Sequence, residues 1–248
     1  LGSRYKGGMD TNTSSIRIRR AADRFHSNHG WLDSHHTFSF AGHFDPDYSG
    51  FESLRVINDD RVAPMAGFGE HPHRDMEILS HVISGELRHQ DSMGNGRTIK
   101  AGEFQYMSAG SGVFHSEFNP SAEHPVHFLQ IWITPDETGA EPRYEERRPD
   151  QLQPVDGLAL VASPDGRDGS MAIRQKAEIF HGTLAAGERT TPSTSFSSHW
   201  LHVISGELQV DGETLRSGDG AAVHGPVPEL RADSSTEFLL FSLNSTNS

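Results

Sequence analysis

The heptapeptide HVISGEL occurs twice, at 81–87 and again at 202–208, 121 positions apart in a chain of 248 residues. A seven-residue identity at about half the chain length is not a chance match, and it reads as two domains of one fold that arose by duplication. A similar turn follows each copy, Ile99-Lys100-Ala101-Gly102-Glu103 after the first and Leu215-Arg216-Ser217-Gly218-Asp219 after the second. Both copies lie in strand-like runs. Residues 78–87 mix β-branched and apolar side chains around an internal glycine, and 201–210 do the same before ending in Asp211-Gly212, a hairpin-type turn. Residues 126–133 are apolar enough for a buried strand, and 238–243 resemble them near the other end. No stretch shows a long 3.6-residue period, and 25 Gly with 13 Pro suit many turns, so the expected class is all-β.

Composition removes several function classes. The formal charge of −13 repels polyanions, and no Lys/Arg run marks a local exception; Arg17, Arg19 and Arg20 alternate with Ile16 and Ile18 as in an ordinary strand with a solvated face. Direct nucleic-acid contact is therefore not expected. The absence of cysteine excludes disulfides, thiolate nucleophiles and cysteine-based zinc sites. No apolar run reaches the roughly 20 residues of a membrane span. Residues 1–8 read as vector-encoded with Met9 the natural start, and 1–12 together as that extension and a disordered tail. A cytoplasmic monomer is the expectation. The 16 histidines are several times the usual share and raise the prospect of a metal site.

Two clusters carry chemistry. In Gly69-Glu70-His71-Pro72-His73 the histidines stand at i and i+2, on one face of a strand. Such a pair is weak evidence alone, being common on surfaces. A second pair, His115 and Glu117, follows the glycine-rich turn Gly110-Ser111-Gly112. If the two strands oppose each other across a small barrel, His71, His73, His115 and Glu117 converge. Three neutral imidazoles and a carboxylate suit a divalent transition metal better than Ca²⁺ or Mg²⁺, and leave positions for water, substrate or dioxygen.

This arrangement resembles the cupin superfamily. His71, His73 and Gly85 fit its first motif; Gly102, Ser108-Ala109-Gly110, His115 and Asn119 fit its second, with a longer turn before the histidine. The slot of the usual first-motif glutamate holds Ile78. Glu77 stands one residue early, and on a strand it would face the other way, so it reads as a non-ligand. A second-motif HxE in place of that glutamate is similar to the pirin family of bicupins. HGWLDSHHTFSF at 29–40, GFESLRVINDD at 50–60, HPHRDMEILSHV at 71–82, HQDSMGNG at 89–96 and HSEFNPS at 115–121 carry the same resemblance. It implies two tandem jelly-roll type cupin β-barrels: an N-terminal metal-binding cupin at 13–135, a linker at 136–155 and a C-terminal cupin at 156–248. The strands of 16–57 are expected to pack on the first barrel. In the second barrel the HxH projects onto Pro192 and Thr194, and His224 is followed by Pro226 rather than an acid, so that barrel is expected to be metal-free. Polar or capping roles are expected for His26, His29, His35, His36 and His43, and a shared structural role for His81 and His202.

The resemblance implies a quercetin 2,3-dioxygenase-like enzyme, with Fe(II) the expected metal and Ni, Mn, Co, Cu or Zn admissible. Its partners would be a flavonol-like aromatic substrate and O2, the flavonol ring opening with loss of carbon monoxide. Glu117 would double as the base for the flavonol 3-hydroxyl. The alternative is an iron-binding, redox-sensing co-regulator acting through protein partners. There is no GxSxG elbow, P-loop or dinucleotide fingerprint.

Overall fold

The computed structural model describes residues 15–245, so the reading of 1–12 lies outside the described residues. The first half contains β1 (Ser15–Arg19), β2 (Phe25–Asn28), β3 (Leu32–His36), β4 (Leu54–Val62), β5 (Gly67–His73), β6 (Glu77–Ser84), β7 (Glu86–Asp91), β8 (Gly96–Lys100), β9 (Phe104–Ser108), β10 (Val113–Phe118), β11 (Val126–Ile133) and β12 (Arg143–Arg147). The second contains β13 (Leu158–Ser163), β14 (Met171–Ala172), β15 (Ala177–Leu184), β16 (Arg189–Thr190), β17 (Ser198–Ser205), β18 (Glu207–Val210), β19 (Glu213–Arg216), β20 (Gly220–His224), β21 (Leu230–Ala232) and β22 (Thr236–Leu243). Each half is a barrel of a seven-stranded and a four-stranded sheet. The first pairs β12-β9-β6-β11-β4-β3-β2 with β5-β10-β7-β8; the second pairs β1-β20-β17-β22-β15-β13-β14 with β16-β21-β18-β19.

The repeated heptapeptide is the corner of each barrel. β6 and β17 end at its serine, β7 and β18 begin at its glutamate, and the glycine between them carries the chain from the large sheet to the small one. Gly85 and Gly206 have φ of 80° and 86°, and a Cβ would meet the carbonyls of Pro125 and Ser235 at 2.8 and 2.3 Å. Only glycine satisfies both the left-handed backbone and the close approach. Asp211-Gly212 forms the expected hairpin, both residues at positive φ.

β6 and β11 do not alternate in polarity because both their faces are buried. Leu79, Leu129, Ile131 and Ile57 face the other barrel, where they join Val161, Ile179, Trp200, Leu239 and Phe241 in one core cluster. Val82, Val126 and Phe128 turn the other way, into the first barrel's own interior. The two large sheets thus pack face to face, and the broadest apolar layer belongs to neither barrel alone. Trp200 is fully buried, its ring 4.8 Å from Phe38 and 5.7 Å from Phe51 of the first half.

Two expectations need correction. β1 pairs with β20 across Ser15–Arg19, so the N-terminal strand completes the second barrel rather than packing on the first. Its register is reinforced by Arg20, which bonds Asp219 at 3.0 Å and the Thr214 carbonyl at 2.7 Å. The segment 136–155, read as a linker, contributes β12, an edge strand paired with β9, before the short helical turn Pro149–Gln151. Long arginine side chains covering an edge strand look in sequence like a solvated tether. Here Arg143 and Arg147 reach across to carbonyls of Ala172 and Gly169 in the second half.

Candidate metal centre

β5 and β10 run antiparallel with His71 opposite His115, and a bulge then sets Glu117 opposite Phe68. Gly67 permits this closeness: a Cβ there would lie 2.3 Å from the Glu117 carbonyl. Donor atoms of His71, His73 and His115 all fall within 4.8 Å of one another. His115, Glu117 and His89 form a second set within the same limit, and His115 is common to both. Glu117 lines the same cavity as His71 and His73. The i, i+2 reading therefore brings all four predicted groups around one space. The sequence reading missed His89, which comes from β7 and has no histidine at i±2 to mark it.

His89 is engaged elsewhere. Its Nε2 lies 3.1 Å from the buried Asp91 carboxylate and its Nδ1 3.3 Å from Gln105 Nε2, so both ring nitrogens already have partners. The other imidazoles are placed differently. His71 Nδ1–H donates to the Gly69 carbonyl at 2.8 Å, which turns the Nε2 lone pair toward His115 Nε2, 3.0 Å away. His115 Nδ1 is buried without a partner. Burial pushes His73 down to about 4, with the charge of His71 adding to it, and burial with three neighbouring histidines holds His115 far below the usual range. Neutral imidazoles whose lone pairs face one another fit a cation between them. Metal ligation is consistent with each of these features.

Glu117 is 2% exposed. Its Oε2 accepts from Gln130 Nε2 at 2.7 Å, and Ser80 Oγ lies 3.1 Å from Oε1. Burial raises it to about 7, against the lowering effect of the Ser80 hydrogen bond, with the charge of Asp60 adding to the rise. Asp60 is likewise pushed up to about 7 by burial, although Ser34 donates to it. The cavity, about 250 Å³, is walled by Leu32, Phe40, Phe68 and Trp132, with Ser34, His36, Asn58, Asp60 and Gln130 as its polar lining. Trp132 packs edge-on to His73 at 5.0 Å, and its Nε1–H is buried without an acceptor. Of the N-terminal histidines only His36 lines this space; it bonds Asn58 and Ser27. His26 stacks on His35, and His43 on Phe25.

Glu77 is buried and turned away from the cavity, accepting from Tyr106, from Ser108 at 2.6 Å and from the Arg174 backbone at 2.9 Å. It ties the two halves together through the Arg174 backbone. Asn119 donates to the carbonyls of Val62, Ala63 and His124, closing the loops below the site.

Strand register shows how the second barrel differs. β6 and β17 match at His81 and His202, which are opposite Leu129 and Leu239 respectively. Stepping along the matched strands, Ser80, Gln130 and Asn58 correspond to Leu201, Leu240 and Phe180, all in that barrel's apolar core. Asp60 corresponds to Gly182, against which the Phe238 ring packs. Pro192 lines a separate cavity with Thr190, Thr191, Leu158, Leu160 and Phe180, while His224 is exposed beside Ser198.

Residues 16–133 match the family model described as Pirin, and 160–243 match one described as the quercetinase C-terminal cupin domain. An Escherichia coli (strain K12) protein named quercetin 2,3-dioxygenase is 48% identical over 230 residues, covering 92% of this chain and 98% of its own. The crystal structure of the bacterial pirin YhhW from Escherichia coli in complex with nickel(II) matches with a TM-score of 0.88 and 46% identity, covering 94% of this chain and 100% of that one. Escherichia coli YhaK matches with a TM-score of 0.71 at 31% identity, over 87% and 96% of the two chains. With both barrels matched by family models and near half of the sequence shared with a relative along almost its whole length, this chain belongs to the pirin family of bicupins.

Proposed function

We propose that the first barrel holds one divalent transition metal through His71, His73, His115 and Glu117 and opens flavonol rings with dioxygen, releasing carbon monoxide. The observation that carries this reading is the pairing of converging imidazole lone pairs with a buried, weakly acidic carboxyl at one end of an aromatic-walled cavity. A relative named quercetin 2,3-dioxygenase and a nickel(II)-bound neighbour support it. A metal held by these four residues would supply Lewis-acid polarisation; the same ligands accept Fe(II), Ni, Mn, Co, Cu or Zn.

The protein's own groups do the rest. Phe40, Phe68 and Trp132 take the flat aromatic substrate and exclude water from the reacting carbons. Glu117 takes the 3-hydroxyl proton. In the metal-free protein burial raises its proton affinity, a metal on the same carboxylate would offset that rise, and Gln130 and Ser80 hold its two oxygens in place. Asp60 lines the same cavity and, in its protonated form, is a donor for a second substrate oxygen.

Aerobic incubation of metal-loaded protein with quercetin should bleach the flavonol absorbance and release carbon monoxide. Glu117→Gln should lower kcat by about 10²-fold or more while changing quercetin affinity little. Bleaching without carbon monoxide would count against the ring-opening chemistry, and an equal loss of binding and turnover would remove the base assignment.

A further inference from the structure

On the face of β6 opposite Ser80, His81 meets a second set of donors. Its Nε2 lies 3.3 Å from Glu237 Oε1 on β22, and the same oxygen is 2.8 Å from His181 Nε2 on β15. The three donor atoms fall within 4.8 Å of one another at the junction of the barrels. Phe104 stacks on the His81 ring at 4.0 Å and fixes its plane. His81 Nδ1 lies 3.3 Å from the Glu103 carbonyl, and in the tautomer that donates there Nε2 turns a lone pair toward the Glu237 carboxylate. In that tautomer the two acceptors repel unless a cation lies between them.

The related corner of the duplicated fold is filled differently. By the registers above, His81, Asp59 and His127 correspond to His202, His181 and Glu237. His81 meets a carboxylate and a histidine of the other barrel directly, whereas His202 only shares a cavity with Asp59 and His127, both its ring nitrogens being buried without a hydrogen-bond partner. Beside His202, the Asp59 carboxylate receives Arg24 at 3.3 Å, Arg61 at 3.1 Å and His127 at 2.7 Å. Guanidinium charge fills that corner. Beside His81, the ion-pair partners of Glu237 among the described residues are the two histidines alone.

We propose that His81, His181 and Glu237 form a second metal site, taking a divalent transition cation with the nitrogen and oxygen preference of Zn²⁺ or Ni²⁺, where arginine serves in the duplicated corner. Ligands about 2.0–2.2 Å from a shared metal stand roughly 3–3.5 Å from each other, and the observed 2.8 and 3.3 Å are close to that spacing. Donation of the distal ring N–H to a backbone carbonyl is the support that metal-bound histidines use. Two imidazoles and one carboxylate leave positions for water, and the side chains of His181 and Glu237, 16% and 29% exposed, provide the way in. The alternative cation, an imidazolium at His81, is disfavoured by complete burial. The metal would lock β6 of one barrel to β15 and β22 of the other, on the back of the strand whose Ser80 holds Glu117.

Chelator-stripped protein dialysed against Zn²⁺ near neutral pH should retain two equivalents per chain by elemental analysis. His181→Ala or Glu237→Gln should reduce this to one, and a His71→Ala/His115→Ala double variant should independently lose the other. In the wild-type protein, ¹⁵N imidazole NMR should show the Nε2 resonances of His81 and His181 shifting on Zn²⁺ addition, a readout that needs no variant. One equivalent in the wild type, lost only with the His71/His115 variant, would overturn the second site. So would a His81 Nε2 that stays protonated at saturating Zn²⁺. Loss of the cavity equivalent alone would count against the first site and leave this one standing.

Discussion

Asp59 and Asp60 are neighbours in sequence and opposites in chemistry. They point to opposite faces of β4. Burial alone would raise Asp59, but the His127 hydrogen bond and the charges of Arg24 and Arg61 hold it far below the usual carboxylate range. Asp60 faces the cavity with no cation beside it, and burial pushes it up to about 7. Its stability contribution follows from that sign. Between the unfolded value of about 4 and about 7, the native metal-free state binds more protons than the unfolded chain, so Asp60 ionisation makes stability fall as pH rises through this window. Asp59 acts in a separate window: its stabilisation is complete above about pH 4 and is lost on further acidification. Glu117 shares the direction of Asp60, so removing one carboxyl removes part of the effect. Buried histidines with lowered values, such as His73, push stability the opposite way, so the check is the difference: from pH 4 to 7 the thermal midpoint of metal-free Asp60→Asn should rise relative to that of wild type, and a constant difference would contradict a protonated Asp60.

At the scale of elements, the site depends on how closely β5 approaches β10. Gly67 is the closest point, and a methyl group there would press on the Glu117 carbonyl and on Phe118. Gly67→Ala should displace β5, separate His71 from His115, and weaken metal binding in the cavity by at least about tenfold, with a stability cost of about 1–3 kcal/mol. Gly69 lies on the same strand with nothing within 4 Å of its notional Cβ. Gly69→Ala keeps the carbonyl that orients His71 and should bind metal like the wild type. Metal titration of the two variants side by side checks this, and equal losses would show that close approach is not what matters.

For the whole molecule, the shared layer between the large sheets predicts that the two barrels unfold together. Trp200 belongs to the second barrel by chain and to the common core by packing. Trp200→Ala should cost about 3–5 kcal/mol and lower one calorimetric transition as a unit. Two separated transitions in the wild type, or a variant that destabilises only one, would show that the barrels are energetically independent. Among the described residues no helix is long and apolar enough to cross a membrane.

Duplication, the all-β class and the four predicted donors could be read from residue order, because each is a local pattern: a repeated strand corner at Gly85 and Gly206, and pairs spaced i, i+2 that a strand turns to one side. What residue order could not show is which strand lies beside which. β1 joins a barrel some 200 residues downstream in the chain, through pairs such as Ser15 with His224. His89, Asp60, Ser80 and Gln130 reach the site from four further strands, and His81 meets His181 and Glu237 only because the large sheets pack face to face. Those contacts are set by sheet order and by the burial of apolar layers, which act across the chain, so the same histidine reads alike in sequence whether it ends in a cavity, a hydrogen-bond network or the seam between barrels.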